Sequence, residues 1–311
     1  MNKVFSLVDD KFENPLFEVF DGGDFVLSSY RDVEGTQTEM QVFFPDESDR
    51  SRAEAVLGNA LKVVDCDSKL EYMSFPDEDW ILSYRRHFKT DRIGQRLLVV
   101  PEWELGTLIK EPGDENRSLV ILDPGLAFGT GKHETTRACL EYIDELSTRG
   151  GSFLDMGCGS GILSIAASKL GYTKVAGFDI DAEAVKAAIE NAEKNGVDID
   201  FREFALGGGS VTFDSSIEAA KGVYPDLALQ ERAKDIKGVA FDKADLVVAN
   251  ILGPLLIAFA DEISGYVNSQ LVISGILNEL YPEVLAAFTA RGFHEVSRKT
   301  FSQWSTGLLS R

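Results

Sequence analysis

From Ser118 onward the chain changes rhythm at regular intervals. SLVILD is an apolar run of strand length, and HETTRACLEYIDEL places apolar residues three and four apart, the spacing of one helix face. GSFLDMG then reads as a strand running into glycines, and GILSIAASKLG as a helix closed by Gly171. KVAGFDID is a strand ending in acids, and AEAVKAAIENAEKNG is a helix rich in Ala, Glu and Lys with Gly196 after it. ADLVVAN is nearly all apolar, as suits a strand covered on both faces. A PLLIAFADEI helix, a QLVISG strand and a NELYPEVLAAFTARG helix follow, and FHEVSRKTFSQWSTGLLS reads as two strands of a hairpin. Alternating β and α elements predict a doubly wound α/β fold with a mainly parallel sheet, here closed by a C-terminal antiparallel hairpin.

The first part of the chain has a different pattern. DFVLSSYR, EMQVFFP and KLEYMSF read as strands and DRSRAEAVLGNAL as a helix, while the first 23 residues give no clear periodicity. Residues 1–76 are therefore expected to form a small α+β domain. A linker over 77–116 follows, with a helix at DEDWILSYRRHF and a strand at RLLVV, and the larger domain occupies 117–311. Residues 205–243 contain glycines and interrupt the alternation, so they read as an insertion near the site mouth.

Composition narrows the class. The 311 residues are 44% hydrophobic and 26% charged, ordinary values for a globular protein. No apolar run approaches the roughly 20 residues of a membrane span, and the acids behind the first apolar run do not suit a signal peptide. Three scattered cysteines and three separated histidines suggest neither a disulfide framework nor a metal site, which favours a cytoplasmic location. The formal charge of −20 repels nucleic acid phosphates and favours a basic partner.

Two glycine-bearing stretches carry candidate chemistry. LDPGLAFGTGKHETT contains GTGK, yet a phosphate loop needs Gly where Leu126 stands and Ser or Thr where His133 stands. The second stretch, DMGCGSG, joins a strand to a helix, with glycines at 157, 159 and 161. A dinucleotide fingerprint would need glycine at Ile162. Asp155 would oppose a pyrophosphate but suits a ligand with positive charge, such as the sulfonium and ammonium of S-adenosylmethionine. Asp179, ending the next strand, stands where a carboxylate accepts ribose hydroxyls, whereas Asp181 is placed to cap the following helix. Asn250 ends a central strand at the sheet edge where ligands bind, with capping of the next helix as its alternative role. His133 either takes a proton or shapes its loop, and Cys158 is expected to pack rather than react.

The motifs LDPGLAFGTGKHETT, FLDMGCGSGILSIAA, GFDID and VVANILGPL together resemble the ribosomal protein L11 methyltransferase (PrmA) family, from about Trp80 to the C-terminus. The resemblance implies a Rossmann-like class I methyltransferase domain behind a small ferredoxin-like recognition domain. It implies S-adenosylmethionine as cofactor and transfer to lysine and N-terminal amines of a basic ribosomal protein. Carried onto this chain, the cofactor contacts would be Thr136, Gly157, Asp179 and Asn250, with Phe128, Gly129 and Thr130 covering the methionine end; the glycine stretch itself adds Gly159, and Asp155 two residues ahead of its first glycine. Asn250, and secondarily His133, would serve the acceptor, and the chain would act as a monomer without nucleic acid or membrane. Two departures touch this region: Lys132 and Glu134 replace the family's Thr and Pro, and NILGPL is one residue shorter than NILAGPL. A different protein, or a small molecule, is the alternative acceptor.

Overall fold

The computed structural model describes residues 2–20, 25, 27–31, 37–44, 46–74, 89–122, 133–147, 150–209 and 241–311. The chain divides into two compact units, Met1–His87 and Phe88–Arg311.

In the smaller unit β1 (Asn2–Asp9), α1 (Glu13–Val19), β2 (Leu27–Arg31), β3 (Gln37–Phe44), α2 (Arg50–Val63) and β4 (Glu71–Ser74) follow one another. The strands lie in the order β2-β3-β1-β4, and every neighbouring pair is antiparallel. This βαββαβ arrangement is ferredoxin-like. Helix α2 buries Ala53, Leu57, Ala60 and Leu61, spaced as one helix face, against Val4, Val8, Met40, Val42 and Phe44 of the sheet. The strand and helix in the first 23 residues were not apparent from periodicity. Strand β1 turns Asn2 and Ser6 inward alongside Val4 and Val8, and the buried Ser6 hydroxyl bonds Ser68. Two polar residues on the inner face hide the alternation.

The larger unit opens with β5 (Asp91–Ile93), β6 (Leu97–Pro101) and β7 (Ser118–Leu122), which form a three-stranded sheet. All five residues of β6 are buried, so RLLVV contributes to this unit's core. Next come α3 (Glu134–Leu146), β8 (Ser152–Met156), α4 (Ile162–Lys169), β9 (Lys174–Asp179), α5 (Ala182–Asn195) and β10 (Asp200–Glu203). The chain continues through β11 (Ala244–Asn250), α6 (Gly253–Ala258), α7 (Ala260–Tyr266), β12 (Val267–Leu277), α8 (Tyr281–Thr289), β13 (His294–Phe301) and β14 (Trp304–Ser310).

Seven strands make the main sheet in the order β10-β9-β8-β11-β12-β14-β13. The first five run parallel, and β14 is antiparallel to both β12 and β13. Alternate residues feed two cores. Phe153, Leu246, Val248 and Val272 pack with α3, α4 and α5, while Leu154, Val247, Ala249 and Ile273 pack with α6, α7 and α8. Connections run outward from β8 in one direction and return to β11 on its other side, so the sheet switches direction between these two strands. In open α/β sheets ligands bind at the carboxyl ends of the strands at such a point.

Two elements depart from the expected pattern. PLLIAFADEI is broken at Phe259, which stands outside helical geometry at φ −103°, ψ 14°. Strand β10 was not foreseen, because only Phe201 of its four residues is buried. The helix expected at Asp77–Phe88 and most of the 205–243 insertion lie outside the described residues.

An ion pair between half-exposed Arg96 and buried Asp144 ties the β5–β6 turn to α3. Asp144 accepts from the Gln95 amide at 2.7 Å and from Arg96 Nε at 2.9 Å. Gly94 makes the turn possible: at φ +53°, a Cβ there would lie 2.3 Å from Asp144 Oδ2.

Candidate active site

The loop from β8 to α4 is shaped by glycines at positive φ: Gly157 (+76°), Gly159 (+50°) and Gly161 (+78°). It folds back on β9, where the amides of Gly157 and Cys158 both donate to the Phe178 carbonyl, at 2.9 and 2.8 Å. Gly161 caps α4 in a crowded place, where a Cβ would meet Phe201 at 2.9 Å and Ala188 at 3.0 Å. Cys158 is buried, and burial pushes its thiol well above the usual range. It packs, as expected, and no reactive thiolate forms there.

Asp179 ends β9 and grips this loop. One carboxylate oxygen accepts the Gly159 amide at 2.9 Å and the other the Asp181 amide at 3.0 Å. Burial raises its pKa above the usual carboxylate range against these bonds. Asp181 accepts from the Glu183 amide and caps α5, the role expected of it. Asp155 lies in β8 beneath the loop with no exposed surface. Its Oδ2 accepts the buried Ser164 hydroxyl at 2.8 Å. Burial, with a smaller contribution from Asp179, pushes its pKa up to about 7.

Asn250 ends β11 beside Ser274 of β12. It does not cap the following helix, whose N-cap residue is Leu252 with no side-chain cap. The Asn250–Ile251 turn touches the glycine loop on one side: a Cβ on Gly157 would lie 2.6 Å from Ile251 Cγ2. On the other side it touches β12: a Cβ on Gly275 would lie 2.5 Å from the Ile251 carbonyl oxygen and 3.4 Å from Asn250 Oδ1.

His133 sits at the N-cap of α3. Its Nδ1 lies 2.7 Å from the Thr135 hydroxyl and 3.4 Å from the Thr135 amide. Its ring meets the edge of Trp304 at 5.2 Å, and burial lowers its pKa, against the nearby Glu134. Thr136 follows in the first turn and is buried. Phe128, Gly129 and Thr130 lie outside the described residues. A cleft of about 990 Å³ opens at the opposite, amino ends of the strands, lined by Ser152, Lys174 and Asp245 among others, and includes none of these residues. Its position does not match the chemistry, and the carboxyl ends of the strands are the better candidate.

Comparison with known proteins bears on this geometry. The family model described as ribosomal protein L11 methyltransferase (PrmA) matches residues 22–310. The chain belongs to this family. A ribosomal protein L11 methyltransferase of Desulfosudis oleivorans is 40% identical over 76% of this chain and 68% of its own length. One of Acetivibrio thermocellus is 31% identical over 96% of this chain and 80% of its own. The crystal structure of a ribosomal protein L11 methylase from Lactobacillus delbrueckii subsp. bulgaricus aligns with a TM-score of 0.57 at 30% identity, covering 72% of this chain and 99% of that one.

As a PrmA family member the chain is a methyltransferase, and its methyl donor is S-adenosylmethionine. Two buried polar atoms at the site, Thr136 Oγ1 and Asp155 Oδ1, receive no hydrogen bond from any described residue. Buried polar atoms normally have partners, so these two suit a polar ligand bearing donors. Asp155 beneath the glycine loop and Asp179 beside it set two carboxyl groups at this end of the sheet, acceptors for a ligand that brings positive charge or hydroxyls. Among the described residues no cluster of His, Cys, Asp and Glu could hold a metal ion, and no helix is long and apolar enough to cross a membrane. Sequence reasoning missed Ser164 and Gly275. Ser164 lies nine residues from Asp155 and meets it only through the β8–α4 packing. Gly275 carried a signal, since an isolated glycine inside a strand marks a bulge or a close backbone approach.

Proposed function

We propose that this chain transfers methyl groups from S-adenosylmethionine to lysine and N-terminal amines of ribosomal protein L11, acting in the cytoplasm as a monomer. The observation that carries the reading is the Asn250–Ile251 turn, where the Asn250 amide oxygen and the Ile251 carbonyl oxygen both lie within 3.4 Å of the place a Cβ on Gly275 would take. Two acceptors side by side suit the two N–H bonds of a neutral amine. The curated relatives are named for L11, and a basic ribosomal protein complements a chain of formal charge −20.

S-adenosylmethionine supplies, when bound, an electrophilic methyl group on a sulfonium. Thr136, Asp155, Asp179 and the Gly157–Gly159 backbone would hold it. The nucleophile must be neutral, while a free lysine has a pKa near about 10.4. Removing the ammonium from water lowers that value. Asn250 Oδ1 and the Ile251 carbonyl then accept the amine's hydrogens and aim its lone pair, so catalysis rests on alignment. His133 contributes by fixing the start of α3: its Nδ1 is engaged with Thr135, and its ring packs on Trp304.

The test is transfer of labelled methyl from S-adenosylmethionine to purified L11, with the modified residues located by mass spectrometry. Label on lysine ε-amines and the α-amine supports the reading. Label on another protein but not on L11 overturns the substrate and keeps the chemistry.

A further inference from the structure

Gly275 stands near the carboxyl end of β12 at φ +78°, a backbone conformation that L residues with a side chain adopt at a cost. The β12–β14 register slips here: Ile273 pairs with Gly307 and Ile276 with Ser305, so Ser274 and Gly275 together oppose Thr306. This is a β-bulge, and bulges gather beside active sites because they re-aim neighbouring groups. It is pinned on its inner side. Ser274 is fully buried, its hydroxyl lies 2.6 Å from Thr306 Oγ1, and it reaches the Thr135 carbonyl at 3.4 Å, next to His133 and Thr136. The bulge thus locks the carboxyl half of β12 to the start of α3.

The missing side chain of Gly275 is what brings the acceptor oxygens together. A Cβ there would stand 2.5 Å from the Ile251 carbonyl oxygen, 3.0 Å from its carbon and 3.4 Å from Asn250 Oδ1. On its other side Ile251 packs against the glycine loop, its Cγ2 in the space that a Gly157 Cβ would take. We propose that Gly275 is a positioning residue for the acceptor amine: the bulge it permits sets the Ile251 carbonyl and Asn250 Oδ1 at the spacing that receives the two N–H bonds. This rests on the amine-methylation reading of the site. Gly275 touches no substrate and acts through the Asn250–Ile251 turn. A methyl group at 275 displaces the carbonyl by most of an ångström, and a displacement of that size costs on the order of 10²-fold in rate.

The decisive probe is sinefungin, an S-adenosylmethionine analogue whose amine-bearing carbon replaces the methyl sulfonium and so presents N–H donors to these oxygens. Its affinity is compared with that of S-adenosylhomocysteine, which lacks any group there, by calorimetry on the full chain. This readout needs no protein substrate, so it stays informative if L11 is not the acceptor. Gly275→Ala should bind S-adenosylhomocysteine as the parent does and bind sinefungin about tenfold more weakly, one lost hydrogen bond to a charged donor. Turnover should fall on the order of 10²-fold at unchanged KM for S-adenosylmethionine. Gly292→Ala is the control for strain: its φ is +86°, yet a Cβ there meets nothing within 4 Å. It should leave both affinities and turnover unchanged. If Gly275→Ala does not fold, Ser274→Ala removes the pin without adding an atom and should shift sinefungin the same way by a smaller factor. Equal weakening of both ligands, no change in either, or the same loss in Gly292→Ala overturns the proposal.

Discussion

Replacing Asp155 by asparagine should stabilise this protein above neutral pH while weakening its cofactor site. Asp155 has no exposed surface, one oxygen bonds Ser164, and the other finds no donor among the described residues. Burial moves its pKa from 3.8 to about 7. Ionising it in the folded chain is then about 4 kcal/mol harder than in the unfolded chain. Because the folded value is the higher one, the penalty is absent below about pH 4, grows as pH rises to about 7, and is complete above that. Asparagine has nearly the same shape, can still accept from Ser164, and carries no charge. Urea titrations from pH 4 to 8 should therefore show the parent losing stability across this window more steeply than Asp155→Asn. At pH 8 the variant should lead by up to about 4 kcal/mol, an upper figure because local relaxation eases a buried charge. The same variant should lose more affinity for S-adenosylmethionine than for S-adenosylhomocysteine, which lacks the sulfonium charge. Parallel stability curves for the two proteins, or equal losses for the two ligands, would refute the reasoning.

Arg96→Ala removes the half-exposed guanidinium from Asp144, which keeps the Gln95 amide bond, and should cost about 1 kcal/mol, read as a lowered urea midpoint at unchanged m-value. His133→Ala removes the N-cap contact with Thr135 and should cost about 1 kcal/mol. Its turnover at saturating substrate should stay within about tenfold of the parent, whereas general-base loss would cost about 10²-fold or more and flatten the pH profile.

The elements legible in the sequence are those whose burial is uniform or strictly periodic. ADLVVAN lies between two cores and is apolar from Leu246 to Ala249, while HETTRACLEYIDEL turns one face to the sheet. Elements with polar residues in the core were not legible. Strand β1 hides Asn2 and Ser6 inside, and β10 buries only Phe201. The break at Phe259 has no glycine or proline to announce it. Within the site, residues adjacent in the chain were readable: the glycine loop, Asp179 at a strand end, and Asp181 before a helix. What required the fold was distance in sequence. Ser164 meets Asp155 across the β8–α4 turn, and Gly275 meets Ile251 across two strands. For His133 the sequence left two roles open, taking a proton or shaping its loop, and only the fold places its Nδ1 on Thr135 at the start of α3.

The central claim is that the Asn250–Ile251 turn presents an amine to the methyl donor. Its most direct test is the intact mass of L11 after incubation with S-adenosylmethionine and either the parent chain or Asn250→Ala, with cofactor affinity measured on both. The account predicts that L11 gains methyl groups with the parent and that transfer by Asn250→Ala falls on the order of 10²-fold. That loss should exceed any weakening of cofactor binding. Equal transfer by the two proteins, or a loss fully matched by weaker cofactor binding, would contradict it.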